Sequence, residues 1–392
     1  MPKADLSAYT GREQAYVKHY LLEKYLAPLA YKVGSAWDSF VYVDGFSGPW
    51  KTTRPDYADS SFAVAIDVLR EVRTGFQEQR GRDLPIHIIL VEQDKNAFAA
   101  LEKFATESST AGFTVHPIFG EFTATIPEID RLIRKHTTNP FKFVFLDPKG
   151  WADIPMKALQ PFLRDRSCEV LINLMTRHII RFLDQPDRAD SYKNLFGRSD
   201  VLEKLRKASK DERTDQAVRE YCRSLGHLCD FRYVSSAVVL DPAQQAVRYF
   251  LVYGTNHPRG IEVFKEAEIT AAKIQDSVRH ETHVRKTGQP ELLFGDVSLE
   301  SRLSYDLRQR YLTRARAKII EMLRRSRSHG VLYSELFCEA MAFPLVNPRD
   351  LQSWIAALIP NVKLHLSGST RRKKPSPAED DRVVVVNPSA FQ

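Results

Sequence analysis

The stretch SFVYVDGFSGPW, residues 39–50, joins an apolar run to a turn that contains two glycines. The run from Phe40 to Val43 is rich in aromatic and β-branched side chains, which is typical of a buried strand. Glycine allows backbone amide groups to approach a ligand closely, so the turn is a candidate binding segment. Four more segments with apolar runs lie at residues 86–94, 113–122, 141–151 and 168–174.

Helical patterns separate these five runs, and the alternation predicts βαβ units in a parallel sheet covered on both faces. Two further runs, at residues 231–240 and 247–254, flank the connection DPAQQA and predict an antiparallel hairpin. Class I methyltransferases have five parallel strands and a final hairpin, whereas dinucleotide-binding dehydrogenases have six parallel strands. We therefore predict that residues 1–279 form an α/β domain with a class I methyltransferase-like, doubly wound sheet.

Residues 280–305 are polar apart from the apolar residues 292–294, and this composition predicts a linker. A basic helix over residues 311–326 follows, then a short strand, two helices and two strands around STRRKKPSPAEDD. That order of elements is typical of a winged helix. The sequence thus predicts a second, winged-helix domain over residues 306–392.

The positive charge of the chain is concentrated near its end. Residues 301–392 carry 16 Lys and Arg against 8 Asp and Glu, whereas residues 1–300 carry 41 of each sign. Such a segment attracts polyanions, although a solvated basic tail would have the same composition. We therefore expect a nucleic acid, most simply DNA, as a partner of the C-terminal domain.

Several classes of protein are disfavoured by composition. No run approaches the roughly 20 apolar residues of a membrane helix, and the N-terminus lacks the apolar region of a signal peptide. The four cysteines form no C-x-x-C pair, so neither a disulfide framework nor a structural zinc site is indicated. We expect a cytoplasmic protein without a membrane partner and without a metal.

The candidate cofactor site is built from strand ends, because ligands of open α/β sheets bind beyond the carboxyl ends of the strands. The turn after the first strand lacks the G-x-G-x-x-G pattern that holds a pyrophosphate, whereas S-adenosylmethionine carries no phosphate. A carboxylate in the turn can bind its amino group, and one at the second strand end can reach its ribose. The candidate cofactor-binding residues are Asp44, Gly45, Phe46, Gly48, Glu92 and Glu121. A simple strand-terminating turn and, for Glu121, a helix cap are the alternatives.

The fourth strand ends in LDPKGW, which supplies the candidate catalytic residues. In amino-methylating enzymes an acidic or amide residue, two prolines and an aromatic hold the target nitrogen. Asp147 and Pro148 match the start of that pattern, but Lys149 replaces the second proline and Trp151 comes one place late. We interpret Asp147 as an acceptor for a target amine, with Trp151 or Trp50 stacking on a base. The alternative is that Asp147 caps the next turn above a packed Trp151.

Two pairs of residues outside the strand ends are weaker candidates. Lys18 and His19 precede the first strand and can either cover the cofactor site or lie on the surface of an amphipathic helix. His280 and His283 have a weak metal-ligand spacing, but no third ligand is near in sequence, so solvated histidines are the simpler interpretation.

In the predicted winged helix, two sets of residues are candidates for nucleic-acid binding. The expected wing tip contacts phosphates without reading bases, whereas Arg349 and Gln352 on the second helix are the better base readers. The wing-tip residues are Arg371, Arg372, Lys373 and Lys374.

Five blocks, KHYLLEKYL, VYVDGFSGPW, IHIILVEQD, FVFLDPKGW and YFLVYGTNHPRGIEVF, resemble the three-Cys-motif partner protein (TcmP) family over about residues 13–275. The resemblance implies a class I methyltransferase-like fold, a C-terminal winged helix and a three-Cys-motif partner encoded nearby. It also implies that Asp44, Gly48 and Glu92 are cofactor-site positions and that Asp147 is the catalytic-site position. The sequence departs from the family's F-A-G-P-G turn at Ser47 and Trp50.

Two hypotheses about function follow from the sequence. The first is an S-adenosylmethionine-dependent methyltransferase that acts on a nucleic acid or a nucleic-acid-associated target. The second is a non-enzymatic DNA-binding or adaptor protein with a degenerate methyltransferase fold, and Lys149 in place of the second proline favours it. Hydrolytic chemistry ranks last, because the sequence offers no metal cluster or nucleophile triad.

Overall fold

The structure is a computed structural model that describes residues 6–48, 52, 57–287, 302–326, 329–359, 361–367 and 374–387. Through residue 287 its helices and strands are α1 (Glu13–Val33), β1 (Ser39–Asp44), α2 (Ser61–Arg80), β2 (Ile86–Glu92), α3 (Lys95–Ser108), β3 (Phe113–Phe119), α4 (Phe122–His136), β4 (Pro140–Leu146), α5 (Met156–Leu163), β5 (Cys168–Leu174), α6 (Thr176–Arg181), α7 (Ala189–Phe196), α8 (Val201–Lys207), α9 (Arg213–Cys229), β6 (Tyr233–Leu240), β7 (Val247–Thr255) and α10 (Pro258–Thr287). Within the described residues, no helix combines the length and the apolar character that crossing a membrane requires.

All seven strands belong to one sheet in the order β3-β2-β1-β4-β5-β7-β6. Strands β1 to β5 are parallel, and β7 inserts antiparallel between β5 and β6. This is the predicted α/β, class I methyltransferase-like sheet with its terminal hairpin. The direction of the strand order reverses between β1 and β4, so a crevice at their carboxyl ends is the place where this fold binds ligands.

The strands are mostly apolar, which is typical of a sheet that helices cover on both faces. Every residue of β1 and of β5 is buried. The helices that cover the sheet begin at capping side chains: Ser60 Oγ accepts a hydrogen bond from Ala63 N at the start of α2, and Asp94 caps α3 through Ala97 N. Serine and aspartate are among the residues that most often cap helix N-termini.

Helix α10 corrects the predicted linker. It continues through residue 287, so residues 280–287 are helical, and the next helix already begins at Arg302. Val278 and Thr282 are buried on α10, which packs along α1, and tertiary contacts therefore hold a polar sequence in a helix. The apolar residues 292–294 lie outside the described residues.

The C-terminal unit consists of α11 (Arg302–Ser326), β8 (Val331–Leu332), α12 (Tyr333–Met341), α13 (Pro348–Leu358), β9 (Val362–His365) and β10 (Arg382–Val385). Its three strands form an antiparallel sheet in the order β8-β10-β9. Helix α11 is longer than the expected residues 311–326, and the side chain of Asn347 caps α13. The assignment of this unit as a winged helix stays a prediction.

The described residues from 6 through 287 form the larger unit. The C-terminal unit packs directly against β6, α9 and α10 of this larger unit. Ser235 Oγ on β6 donates to the carbonyl of Met341 at 2.6 Å. Tyr311 on α11 donates its hydroxyl to Asp215 on α9 at 3.0 Å, and Arg314 contacts the same carboxylate at 2.6 Å. Part of the positive charge of α11 is thus neutralised by an acidic residue of the larger unit.

Candidate functional site

A pocket of about 210 Å³ lies at the carboxyl ends of β1 and β4. This volume is below the range of about 300–1,000 Å³ that is usual for small-molecule sites. Four of the residues predicted from sequence line it: Phe46 and Gly48 after β1, and Asp147 and Pro148 after β4. The other lining residues are Arg12, Ala15, Lys18, His19, Thr52, Asp59, Ser60, Ser61, Lys149 and Met175.

Asp44, the last residue of β1, is fully buried beneath this pocket. Its carboxylate accepts hydrogen bonds from Phe46 N at 3.0 Å and from Ser61 Oγ at 2.9 Å. Burial raises the pKa of Asp44 to about 6, the two hydrogen bonds lower it, and the nearby Asp147 charge adds to the increase. Asp44 therefore fixes the turn after β1 and orients Ser61, whose hydroxyl group belongs to the pocket wall.

Asp147 stands in the wall of the pocket and is held from two sides. Lys18 Nζ, on α1, forms an ion pair with Asp147 Oδ2, and Asn173 Nδ2, on β5, donates to Oδ1 at 2.6 Å. Lys18 and Asn173 are both buried, whereas the side chain of Asp147 is 23% exposed. Each carboxylate oxygen keeps an unused lone pair. Asp147 can therefore still accept a hydrogen bond from a group in the pocket.

The start of α1 and the residue before it form another part of the pocket wall. Arg12 pairs with the buried Asp59, and His19 shares a 3.0 Å hydrogen bond between its Nδ1 and the hydroxyl of Tyr9. Burial lowers the pKa of His19 well below its ordinary value, so its ring is neutral at neutral pH. Of these residues, the sequence had indicated only Lys18 and His19. Arg12 and Asp59 lie 47 positions apart, and no local pattern marks them.

Two predicted site residues pack closely against their neighbours. A Cβ atom on Gly45 would lie 2.7 Å from Leu146 Cδ2 and 2.8 Å from Phe122 Cδ2, so Gly45 permits close packing beneath the turn. Trp151 is 8% exposed and packs edge-on against Tyr192, with ring centroids 4.8 Å apart. This position corrects the expected role of Trp151 in stacking on a base, because its ring is covered by protein. Trp50 lies outside the described residues.

The predicted ribose and adenine positions lie beside the pocket, at the ends of β2 and β3. Glu92 is buried, and its Oε1 accepts a hydrogen bond from Asp94 N at 2.6 Å. Glu121 is exposed and accepts a hydrogen bond from Thr123 without capping α4 through its side chain. Next to them, Phe119 is 52% exposed, and its ring centroid lies 5.2 Å from that of Phe98. The sequence analysis missed this aromatic pair, although Phe119 directly precedes Gly120 at a strand end.

Only some of the residues that are expected to contact nucleic acid lie among the described residues. Arg349 is exposed in the first turn of α13, Gln352 is half-buried beside Tyr333, and Lys374 is exposed. The residues Arg371, Arg372 and Lys373 lie outside the described residues. None of these positions is near the pocket in sequence, and their role stays a prediction.

A scan against protein-family models and a search of curated proteins found no match to this sequence. Solved structures that resemble the chain include an O-methyltransferase from Bacillus cereus in complex with SAH, at 12% identity over 59% of this chain and 80% of that chain, with a TM-score of 0.31. A DUF574 family protein from Streptomyces avermitilis is 10% identical over 62% of this chain and 83% of its own, with a TM-score of 0.33. Loganic acid methyltransferase with SAH is 9% identical over 72% of this chain and 90% of its own, with a TM-score of 0.27. These likenesses are distant, and the fold assignment depends on the strand order itself.

Proposed function

We propose that this chain is an S-adenosylmethionine-dependent methyltransferase that acts on a nucleic acid or a nucleic-acid-associated target. The observation that carries the proposal is the pair of carboxylates at the β1–β4 crevice. Asp44 closes β1 beneath the pocket, and Asp147 closes β4 in the pocket wall. Such a crevice is where open α/β sheets bind their ligands.

The residues around the crevice suit a cationic cofactor without phosphate. Glu92, Asp94 and Glu121 surround the ends of β2 and β3, where a pyrophosphate would be repelled. Glu92 is the residue expected to bind the ribose hydroxyls, and the aromatic pair of Phe98 and Phe119 offers a surface for a purine ring. S-adenosylmethionine, when bound, supplies an electrophilic methyl group.

On the acceptor side, Asp147 is the residue that orients the target. Lys18 and Asn173 fix its carboxylate, and an N–H or O–H of the acceptor would donate to a remaining lone pair. Fixed orientation of the acceptor contributes to the rate because it removes rotational freedom before the reaction. We infer that Lys18 is a positioning residue for Asp147.

Two observations favour the second candidate function, a non-enzymatic DNA-binding or adaptor protein. Lys18 lies across Asp147, and the pocket of about 210 Å³ is small for a nucleoside cofactor. An adaptor would bind nucleic acid but transfer no labelled methyl group from S-adenosylmethionine to it. A methyl-transfer assay with total nucleic acid as acceptor separates the two functions.

Isothermal titration with S-adenosylhomocysteine tests the cofactor site. We expect the wild type to bind, and Glu92→Ala to bind at least tenfold more weakly, because hydrogen bonds to a charged group contribute about 1.5–3 kcal/mol each. Glu78→Ala, an exposed change on α2, is the matched control and should bind like the wild type. Absence of binding by the wild type, or undiminished binding by Glu92→Ala, would contradict the proposal.

A further inference from the structure

The edge of the sheet at which the parallel strands end has an acidic half and a basic half. The half over β2 and β3 carries the acidic residues Glu92, Asp94 and Glu121. The half over β5 and the β6–β7 connection carries three arginines that converge on Asp241. These are Arg177 on α6, Arg248 on β7 and Arg279 on α10. The pocket lies between the two halves.

The three arginines are held in defined positions around the β6–β7 connection. Arg177 Nη1 and Arg248 Nη1 lie 3.5 and 3.2 Å from the same atom, Asp241 Oδ2. Arg177 also donates from Nε to the carbonyl of Val247 at 2.9 Å, and Arg279 donates to the carbonyls of Asp241 and Gln244. Two guanidinium groups therefore share one carboxylate, and Arg279 lies beside them on backbone carbonyls, which leaves a surplus of positive charge.

Two of these guanidinium groups remain accessible to a ligand. The side chains of Arg177 and Arg248 are 38% and 45% exposed, whereas that of Asp241 is only 7% exposed. Arginine has five N–H donors, and its planar fork suits the oxygens of a phosphate. Because both groups approach a single oxygen atom, one phosphate group can contact both.

A polar cavity of about 400 Å³ extends from this surface. Arg248, Arg285 and Lys286 line it, together with the acids Glu13 and Asp241. Glu13 is paired with Arg285 at 3.1 Å, and Asp241 is shared among the arginines. The cavity therefore offers an anion more positive than negative charge.

The arginines are next to the candidate transfer pocket. Leu174, the last residue of β5, pairs with Phe250 of β7, so Arg177 and Arg248 lie at the same edge as the pocket. Burial raises the pKa of Tyr249 well above its ordinary value, the Asp147 charge adds to this increase, and the Arg248 charge opposes it. The phenol of Tyr249 thus lies within electrostatic reach of both Asp147 and Arg248.

We propose that Arg177 and Arg248 bind the phosphate backbone of a single-stranded nucleic acid and hold its target base at the pocket beside Asp147. This inference rests on the proposed function and names its substrate class. A narrow pocket excludes a base that is still stacked in a duplex, so the target must be single-stranded or extruded. The surface binds backbone and carries no sequence information, because guanidinium contacts to phosphate do not read bases.

Fluorescence anisotropy with a labelled 20-nucleotide single-stranded DNA tests the inference. We expect Arg177→Gln with Arg248→Gln to lower affinity about tenfold at moderate salt and to reduce the slope of log K against log salt by about 0.7, the value for one phosphate on a single strand. Arg248→Gln alone should lower affinity about threefold, and it keeps the test available if the double variant unfolds.

The matched control removes the same charge from a similar cluster elsewhere. Arg198 and Arg223 surround the buried Glu220 on α9, at 3.1 and 2.6 Å from its carboxylate. Arg198→Gln with Arg223→Gln should leave the affinity for DNA within about twofold of the wild type. The inference is overturned if the two double variants lose DNA affinity equally, or if Arg177→Gln/Arg248→Gln keeps the affinity of the wild type. It is also overturned if polyglutamate displaces the labelled DNA as well as unlabelled DNA does.

Titration with S-adenosylhomocysteine separates this inference from the proposed function. The Arg177→Gln/Arg248→Gln variant should bind S-adenosylhomocysteine like the wild type. Both arginines lie on the half of the edge over β5 and the β6–β7 connection, away from the proposed cofactor residues at the ends of β2 and β3. If the wild type binds DNA through these arginines but does not bind S-adenosylhomocysteine, the methyltransferase proposal fails and the nucleic-acid surface stands. If it binds S-adenosylhomocysteine and the variant keeps its full DNA affinity, only the surface is overturned.

Discussion

Replacing Lys265 with Met should strongly destabilise the contact between the two units. Lys265 Nζ on α10 contacts Glu268 Oε2 at 2.9 Å and the carbonyl of Phe343 at 2.7 Å. Glu268 Oε1 accepts a hydrogen bond from Leu345 N at 2.8 Å. The side chains of Lys265 and Glu268 are 0% and 2% exposed. The substitution therefore leaves a buried carboxylate with one neutral donor.

The expected cost follows from this burial. Removing one partner of a buried ion pair costs about 3–5 kcal/mol, because the other charge stays desolvated. Arg259 and Glu262 form the matched pair on the same helix at the same spacing of three residues, with side chains 57% and 25% exposed. Arg259→Met should cost at most about 1 kcal/mol, since exposed pairs contribute little.

Urea unfolding followed by circular dichroism measures both variants at pH 8 and pH 5. Burial raises the pKa of Glu268 above its ordinary value, and the loss of Lys265 raises it further. A raised carboxyl pKa gives stability that is present at low pH and lost as the pH rises above the ordinary glutamate value of about 4.3. The deficit of Lys265→Met should therefore be larger at pH 8 than at pH 5.

The double variant Lys265→Met/Glu268→Gln removes the uncompensated charge and should recover at least half of the deficit. The reasoning is refuted if Lys265→Met unfolds within about 1 kcal/mol of Arg259→Met at pH 8, or if the double variant is no more stable than the single one.

Two further changes test the carboxyl edge. Gly45→Ala should lower the free energy of unfolding by about 1–3 kcal/mol, because the new methyl group overlaps Leu146 and Phe122. Gly150→Ala, whose Cβ would meet its nearest neighbour at 3.6 Å, is the control. Equal losses of unfolding free energy for the two variants in urea titrations would contradict the packing argument. Because burial raises the pKa of Asp44 to about 6, the stability of the wild type relative to Asp44→Asn should fall by roughly 2 kcal/mol as the pH rises from 4 to 6. A difference that stays flat across this range would show that Asp44 is not desolvated.

Local patterns predicted the sheet because strands and helix starts are short-range features. The apolar runs of β1, β2 and β4 stop at the polar residues Asp44, Glu92 and Asp147. Ser60, Asp94 and Asn347 cap helices through amide groups two or three residues away. These interactions involve neighbours in sequence, so residue types and spacing reveal them.

The same patterns failed where packing overrides composition. The polar residues 280–287 resemble a linker, yet contacts with α1 keep them helical. Trp151 follows a candidate catalytic aspartate, yet its ring packs against Tyr192 on a helix 41 positions later in the chain. Whether a side chain is buried by a distant helix depends on how the helices pack on the sheet, so the residues next to it in sequence do not reveal it.

The order of apolar runs was sufficient to establish which strand ends carry the acids of the crevice. Only the packed chain shows which cation meets which acid: Lys18 reaches Asp147 across 129 positions, and Arg177 and Arg248 meet at Asp241. Backbone periodicity and capping depend on a few neighbouring residues, whereas an ion pair in a crevice requires two distant segments to be brought together at a fixed angle and distance. That arrangement is fixed by the burial of whole faces of helices against the sheet, which no short stretch of sequence encodes.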